Sequence, residues 1–205
     1  MIRAGQYRRV LVVGAEVQST ALDLTTRGRD VAVIFGDGAG AAILEATEED
    51  RGILSSHLHC DGRYAKELWV EHPGSSSHPT VNLKMIEEGR HFPKMNGREV
   101  FKHAVTKFIE VITEACRANR MKPQEIDLLI VHQANIRIAD AVREYLKLPP
   151  EKMYNNIHKY GNTTAASIPI ALAEAKQQGL VKPGDLVCLA AFGSGFTWGA
   201  TLIRW

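Results

Sequence analysis

The run that closes the chain, LVCLAAFGSGFTWGATLIRW, constrains the fold more than any other segment: two apolar stretches meet at a glycine-rich turn. It predicts a hairpin of two buried strands. Strands buried on both faces need helices above and below them, and that requirement selects layered α/β architecture with helices packed on a largely buried sheet.

The rest of the chain supplies matching pieces. RRVLVVGAE is a β-branched run closed by Gly14 and predicts a strand buried on both faces. VAVIFGDGAGAAILEA predicts a second strand, and the Thr-rich STALDLTTRGRD between them a loop or short irregular helix. ILSSHLHCDG alternates and predicts a third strand ending at Asp61 and Gly62. Residues 61–98 are less regular, with EHPGSSSHPT as a surface loop and the stretch least suited to a core.

From Arg98 to Asn119, apolar residues recur at spacings of three and four (Val100, Ala104, Phe108, Val111, Ile112, Ala115), the pattern of a helix. DLLIVHQ predicts a strand. NIRIADAVREYLKL predicts a helix ended by Pro149 and Pro150, and Thr163 to Gln178 a further helix closed by Gly179. The predicted order is β, β, β, α, β, α, α, β, β, with no internal repeat. The first 45 residues hold two strands and no long helix, so they read as the end of a unit.

Composition excludes several classes. Twenty-five Lys and Arg against 23 Asp and Glu give a net charge of +2, so no overall field marks a nucleic-acid binder. No apolar run approaches the roughly 20 residues that span a bilayer, and the basic opening has no signal-like core, so neither membrane nor export is expected. Cys60, Cys116 and Cys188 are odd in number and form no CxxC pair, which argues against a disulfide framework and for a reducing cytoplasm.

Four segments could carry chemistry. His132 in VHQAN ends an apolar strand just before a helix that begins near Asn135, a place where side chains and free amides converge in α/β folds. A histidine hydrogen-bonded at a strand edge is the structural alternative. Asn162 in KYGNTTAAS could project an amide donor from a helix start, or serve only as a helix cap. Gly193, Ser194 and Gly195 form a tight turn whose backbone amides could serve an oxyanion hole, or simply join two strands. FGDGAGAA has the glycines of a phosphate loop, but strand-like AAILEA follows it, so close packing is the better reading.

HLHC places His57 and His59 on one strand face and Cys60 on the other, and no second cluster has zinc spacing, so no metal site is expected. None of the three cysteines has the setting of a nucleophile.

Taken together, VHQAN, YGNTTAAS and AFGSGFTWGA, with RAGQYRRVLVVGAE, TTRG, FGDGAGAAIL, SSHLHCDG and NGREVFKHAV, resemble β-ketoacyl-[acyl carrier protein] synthase III along essentially the whole chain. Chalcone synthases share the His and Asn logic but differ around GFTWGA. The resemblance implies a thiolase-like α/β fold in which two similar halves enclose the active site. Residues 1–45 then match the end of the N-terminal half and residues 46–205 the C-terminal half, a mixed sheet with helices on both faces. The most family-specific segment is about 116–205.

The resemblance also implies roles. His132 and Asn162 match two catalytic residues, and the third, a cysteine at a helix start, belongs to a segment upstream of IRAGQY. In the family that thiolate takes an acyl group, here most simply acetyl, from acyl-CoA. His and Asn then donate to the thioester oxygen of malonyl-carrier protein and stabilise the enolate formed as carbon dioxide leaves. A backbone amide matching Ser194 holds the later oxyanion.

Arg27 and Gly28 match positions near the adenine of coenzyme A. Gly97, Phe101, Ala134, Asn135, Arg137 and Ile138 match the pantetheine tunnel. Lys102 and Arg137 match basic residues that dock the acidic carrier, whereas two further basic positions fall on Glu144 and Tyr145. No cofactor is implied beyond these thioester substrates, and the full-length family is dimeric. The leading expectation is the C-terminal part of such an enzyme, acting in fatty-acid initiation and inactive alone. The alternative is a non-catalytic thiolase-fold binding or assembly subunit that needs a partner chain.

Overall fold

A computed structural model describes all 205 residues. In chain order the elements are β1 (Arg9–Glu16), α1 (Arg29–Ala32), β2 (Gly38–Glu45), β3 (Gly52–Cys60), β4 (Leu68–Val70), α2 (Leu83–Glu87), β5 (Pro93–Met95), α3 (Gly97–Ala118), β6 (Leu128–Val131), α4 (Ile136–Tyr145), α5 (Ile157–Tyr160), α6 (Ser167–Gln177), β7 (Leu186–Gly193) and β8 (Thr197–Arg204). Every long element predicted from periodicity is present.

The centre is a four-stranded sheet in the order β3-β8-β7-β6. Its first three strands pair antiparallel, while β6 runs parallel to β7. The sheet is thus mixed, and α3 and α6 cover its opposite faces. Against one face lie Phe108, Val111, Ile112 and Ala115 of α3 with Ile138 and Val142 of α4, packed on Leu129, Val131, Cys188 and Leu202. Against the other lie Ala171 and Ala175 of α6, on Leu128, Ile130 and Val187. Alternate residues of β6 thus enter two cores, which is why LLIV is apolar without a break.

The helix boundaries have local causes. Asn135 caps α4 by accepting the Arg137 N–H at 2.9 Å. At the far end of α3, the Asn119 amide donates to Ala115 O at 2.8 Å and to Ser55 Oγ at 2.7 Å, tying the last turn to β3. His57 and His59 do share a face of β3, and both rings lie against Glu114 of α3, at 3.2 and 2.6 Å.

Three expectations need correction. β1 is not buried on both faces: Leu11, Val12 and Val13 are all exposed. Within these 205 residues β1 and β2 form a two-stranded sheet of their own. The second strand begins only at Gly38, since Val31 to Phe35 turn through α1 and its following turn. Finally, the irregular stretch 61–98 contains β4 paired with β5, and His72 within it is buried at 2% exposure.

The glycines of FGDGAGAA pack closely, as their spacing suggests. A Cβ on Gly36 would stand 2.0 Å from Tyr160 O, and one on Gly40 2.9 Å from Pro169 Cβ. This contact seats the β1–β2 sheet on the start of α6. No helix is long and apolar enough to cross a membrane.

Ile112, fully buried between α3 and the sheet, tests the larger core. Ile112→Ala is expected to lower unfolding stability by about 2–5 kcal/mol in urea titration, through lost burial and the cavity left behind.

Candidate active site

β6 delivers His132 to the rim of a large cleft. The His132 N–H donates to Ala190 O at 2.8 Å, which continues the β6–β7 ladder one residue past the strand and holds the backbone there. Its imidazole Nδ1 lies 2.7 Å from Ser167 Oγ at the start of α6. Protein surrounds most of the ring, and this burial pushes the imidazole down to about 4, so it is neutral at pH 7.

Gln133 latches the turn that follows. Its Nε2 donates to Val131 O at 2.7 Å, and its Oε1 accepts the Asn156 N–H at 2.9 Å. Behind it, Glu174 accepts from the Asn156 amide at 2.7 Å and from the Tyr160 and Tyr154 hydroxyls at 2.7 and 3.1 Å, while Lys159 stands at 3.4 Å. The Asn156 and Tyr160 bonds lead in holding the Glu174 carboxyl down at about 2.

Asn162 reaches the same cleft from another direction. It is 7% exposed. Its backbone is pinned on both sides: Asn162 N–H donates to Ile34 O at 2.9 Å and Gly36 N–H donates to Asn162 O at 3.0 Å. The side-chain Oδ1 accepts the Thr164 N–H at 2.9 Å, with Thr164 itself at φ +43. That bond occupies the carbonyl end and leaves the amide nitrogen as the free donor. Asn162 Oδ1 thus caps the short 3-10 turn Thr164–Ala166 that leads into α6 at Ser167.

The turn between β7 and β8 completes the rim. Ser194 Oγ donates to Leu68 O of β4, and Thr197 Oγ1 donates to Ser194 O at 3.0 Å. Phe196 and Asp61 exchange two backbone bonds of 2.7 Å. Beneath, Phe196 stacks on Tyr64 at 5.2 Å and tilts against Phe192 at 4.8 Å. Gly195 sits at φ +134, which only glycine adopts without strain. The Ser194 N–H has no partner within the protein.

The cleft is about 1750 Å³. A single small-molecule pocket is roughly 300–1,000 Å³, so this is an extended trough rather than a closed site. His132, Asn162, Gly193 and Ser194 line it together with Gly97, Phe101, Ala134, Asn135 and Ile138.

The remaining predicted positions lie outside. Lys102 and Arg137 are exposed and make no ion pair, and Gly195 lies just behind the rim. Arg27 is half-exposed, bonded to buried Asp23 at 2.5 Å and to Glu87 O at 3.0 Å, with its guanidinium over Phe92. Gly28 packs on Asp23, where a Cβ would stand 2.0 Å from its carbonyl oxygen. No group of three or more His, Cys, Asp or Glu side chains converges so as to hold a metal ion.

Sequence reasoning missed Ser167, Glu174 and Leu68. Ser167 reads as one more small residue of a helix start, and no local signal says that it meets a histidine 35 residues earlier. Leu68 lies in the stretch that looked least structured. No cysteine lines the cleft: burial pushes the Cys116 thiol up to about 11 and Cys188 higher still, and Cys60 is exposed on β3.

The mixed sheet with a core on each face and a polar rim at its strand ends defines a thiolase-like α/β protein. The model for 3-oxoacyl-[acyl-carrier-protein] synthase III matches residues 1–62, and the model for its C-terminal region matches residues 116–205. The chain belongs to the 3-oxoacyl-[acyl-carrier-protein] synthase III family.

Relatives agree. The β-ketoacyl-[acyl-carrier-protein] synthase III of Bradyrhizobium diazoefficiens is 45% identical over 210 residues, covering 100% of this chain and 61% of the relative. That of Microcystis aeruginosa is 46% identical with the same coverage. Crystal structures of the synthases III from Aquifex aeolicus and Thermus thermophilus superpose with TM-scores of 0.87 and 0.88, each at 42% identity. They match 100% of this chain and 60 and 61% of theirs. The chain thus spans about three fifths of the length of the proteins it matches.

The depressed pKa of His132 makes a stability prediction. The unfolded imidazole takes up a proton near pH 6.5 and the folded one only near 4, so protonation favours unfolding between these values. Stability is expected to be full above pH 6.5 and to fall by on the order of 2–3 kcal/mol as pH drops to 4. His132→Gln should flatten that limb when urea midpoints are compared across the range, the carboxylate contributions being common to both proteins.

Proposed function

We propose that this chain supplies the decarboxylation site of a condensing enzyme that joins acyl-CoA, acetyl-CoA in the simplest case, to malonyl-acyl carrier protein at the start of fatty-acid synthesis. The observation that carries it is the convergence of His132 and Asn162, from separate segments, on one trough that also holds the Ser194 turn. A neutral imidazole and a carboxamide are two uncharged donors. Aimed at one thioester oxygen, they stabilise the enolate left as carbon dioxide departs, and they do so in an apolar surround where each bond is stronger than in water.

The enolate carbon then attacks an acyl thioester, and the new oxyanion is held by the free Ser194 amide. The thiolate that carries the acyl group comes from the part of the protein beyond these residues, since no cysteine here faces the trough. Residues 1–45 and 46–205 are the end of one thiolase-like half and the whole of the other. The pantetheine arm lies along Gly97, Phe101, Ala134, Asn135 and Ile138, with Arg137 exposed outside the trough and adenine toward Arg27 and Gly28. Coenzyme A and carrier thioesters are substrates, no cofactor takes part, and the whole protein works as a cytoplasmic homodimer.

In a longer form of this chain that includes the cysteine, His132→Ala and Asn162→Ala are each expected to slow malonyl-carrier decarboxylation about 10²-fold or more, the cost of losing one preorganised donor. Unchanged decarboxylation in both variants refutes the assignment. The carrier is acidic and Lys102 and Arg137 are exposed and unpaired. Lys102→Glu and Arg137→Glu are therefore expected to raise KM for malonyl-carrier several-fold with kcat nearly unchanged, an effect that added salt diminishes.

A further inference from the structure

The two ring nitrogens of His132 have different surroundings. Nδ1 lies 2.7 Å from Ser167 Oγ, whereas Nε2 has no partner within the protein and is open to the trough. A neutral imidazole carries one proton. Whichever nitrogen holds it decides whether the ring can donate to a ligand oxygen or can only accept.

Ser167 bears on that choice through its second contact. Its oxygen also lies 3.3 Å from the Gln133 backbone nitrogen, whose N–H can only donate. The hydroxyl proton must therefore find its acceptor elsewhere. A serine in a helix often bonds back to a carbonyl three or four residues earlier, but Ser167 makes no such bond, and its hydroxyl has only the Gln133 and His132 contacts. Ser167 is 2% exposed, so water is no substitute. The one acceptor in reach is His132 Nδ1. A proton on Nδ1 would turn that nitrogen into a second donor and leave a buried hydroxyl with nothing to accept it.

We infer that Ser167 is a positioning residue that fixes His132 as the Nε2–H tautomer, so that the nitrogen facing the trough is the one that donates. Ser167 touches no substrate and acts through the imidazole. The same hydroxyl holds the peptide after His132 through Gln133 N–H, so one side chain sets both the proton and the backbone next to the ring. The use of this tautomer rests on the reading of His132 as a donor to a thioester oxygen. The tautomer itself is a property of the chain and can be measured without turnover.

The test is long-range proton–nitrogen correlation NMR on the 205-residue chain with ¹⁵N-labelled histidine at pH 7, the His132 signals being assigned by their loss in His132→Gln. The expected spectrum has a protonated, pyrrole-like Nε2 and a bare, pyridine-like Nδ1. Ser167→Ala is expected to shift the tautomer ratio toward Nδ1–H by about five- to tenfold, the worth of one neutral hydrogen bond. Ser167→Thr keeps the hydroxyl and should restore the original ratio.

A wild-type ring protonated on Nδ1 overturns the inference, as does a ratio unchanged in a folded Ser167→Ala. Should that variant not fold, the wild-type spectrum decides. Failure here is separable from failure of the proposed function: an Nδ1–H ring refutes the role of Ser167, whereas unchanged decarboxylation in His132→Ala and Asn162→Ala refutes the donor reading and leaves the tautomer standing.

Discussion

The site depends on a short parallel bridge between Phe35 and Asn162. Two backbone hydrogen bonds, Asn162 N–H to Ile34 O and Gly36 N–H to Asn162 O, hold the loop before α6 against the segment before β2. The approach is close enough that any side chain on Gly36 would enter the Tyr160 carbonyl. Without this seam Asn162 would lie on a free loop, and its carboxamide would not be fixed against the trough. A segment with few buried residues of its own thereby sets the placement of a residue far along the chain.

Burial and hydrogen bonding divide the work at the other donor. Burial keeps His132 uncharged, so its ring retains one N–H and adds no positive charge to the trough. The orientation comes from the Ser167 hydroxyl and from the Gln133 and Asn156 latch. The latch in turn is held by Glu174, whose carboxylate gathers two tyrosines, an amide and a lysine. The Glu174 carboxylate thus stays behind the latch and does not line the trough.

Much of the fold was legible in the residues, because helix and strand periods are local properties. LLIV is a strand buried throughout and LVCLAAFG one buried for most of its length, TWGATLIR is a strand buried only at Gly199, Ala200 and Leu202, and the apolar spacing in α3 marks the face it turns to the sheet. Where the reading failed, the missing information was not local. RVLVVGAE has the composition of a fully covered strand, yet within these 205 residues β1 pairs only with β2, and the chain spans about three fifths of the length of its relatives. Val31 to Phe35 has the composition of a strand, yet the chain there turns through α1 before Gly36 and Gly38 pack onto the loop that carries Asn162.

By itself the sequence determined which residue types stand where: a histidine past a buried strand, an asparagine among small residues, and a glycine turn in an apolar hairpin. It also determined the family, since those motifs and their spacing survive in one dimension. Only the tertiary structure decided which atom each side chain meets. Ser167 on His132 Nδ1, Leu68 O under the Ser194 hydroxyl, and Ile34 and Gly36 on Asn162 are contacts between distant parts of the chain. Such contacts form where packed layers bring strand ends and helix starts together, and no period or spacing in the sequence records them.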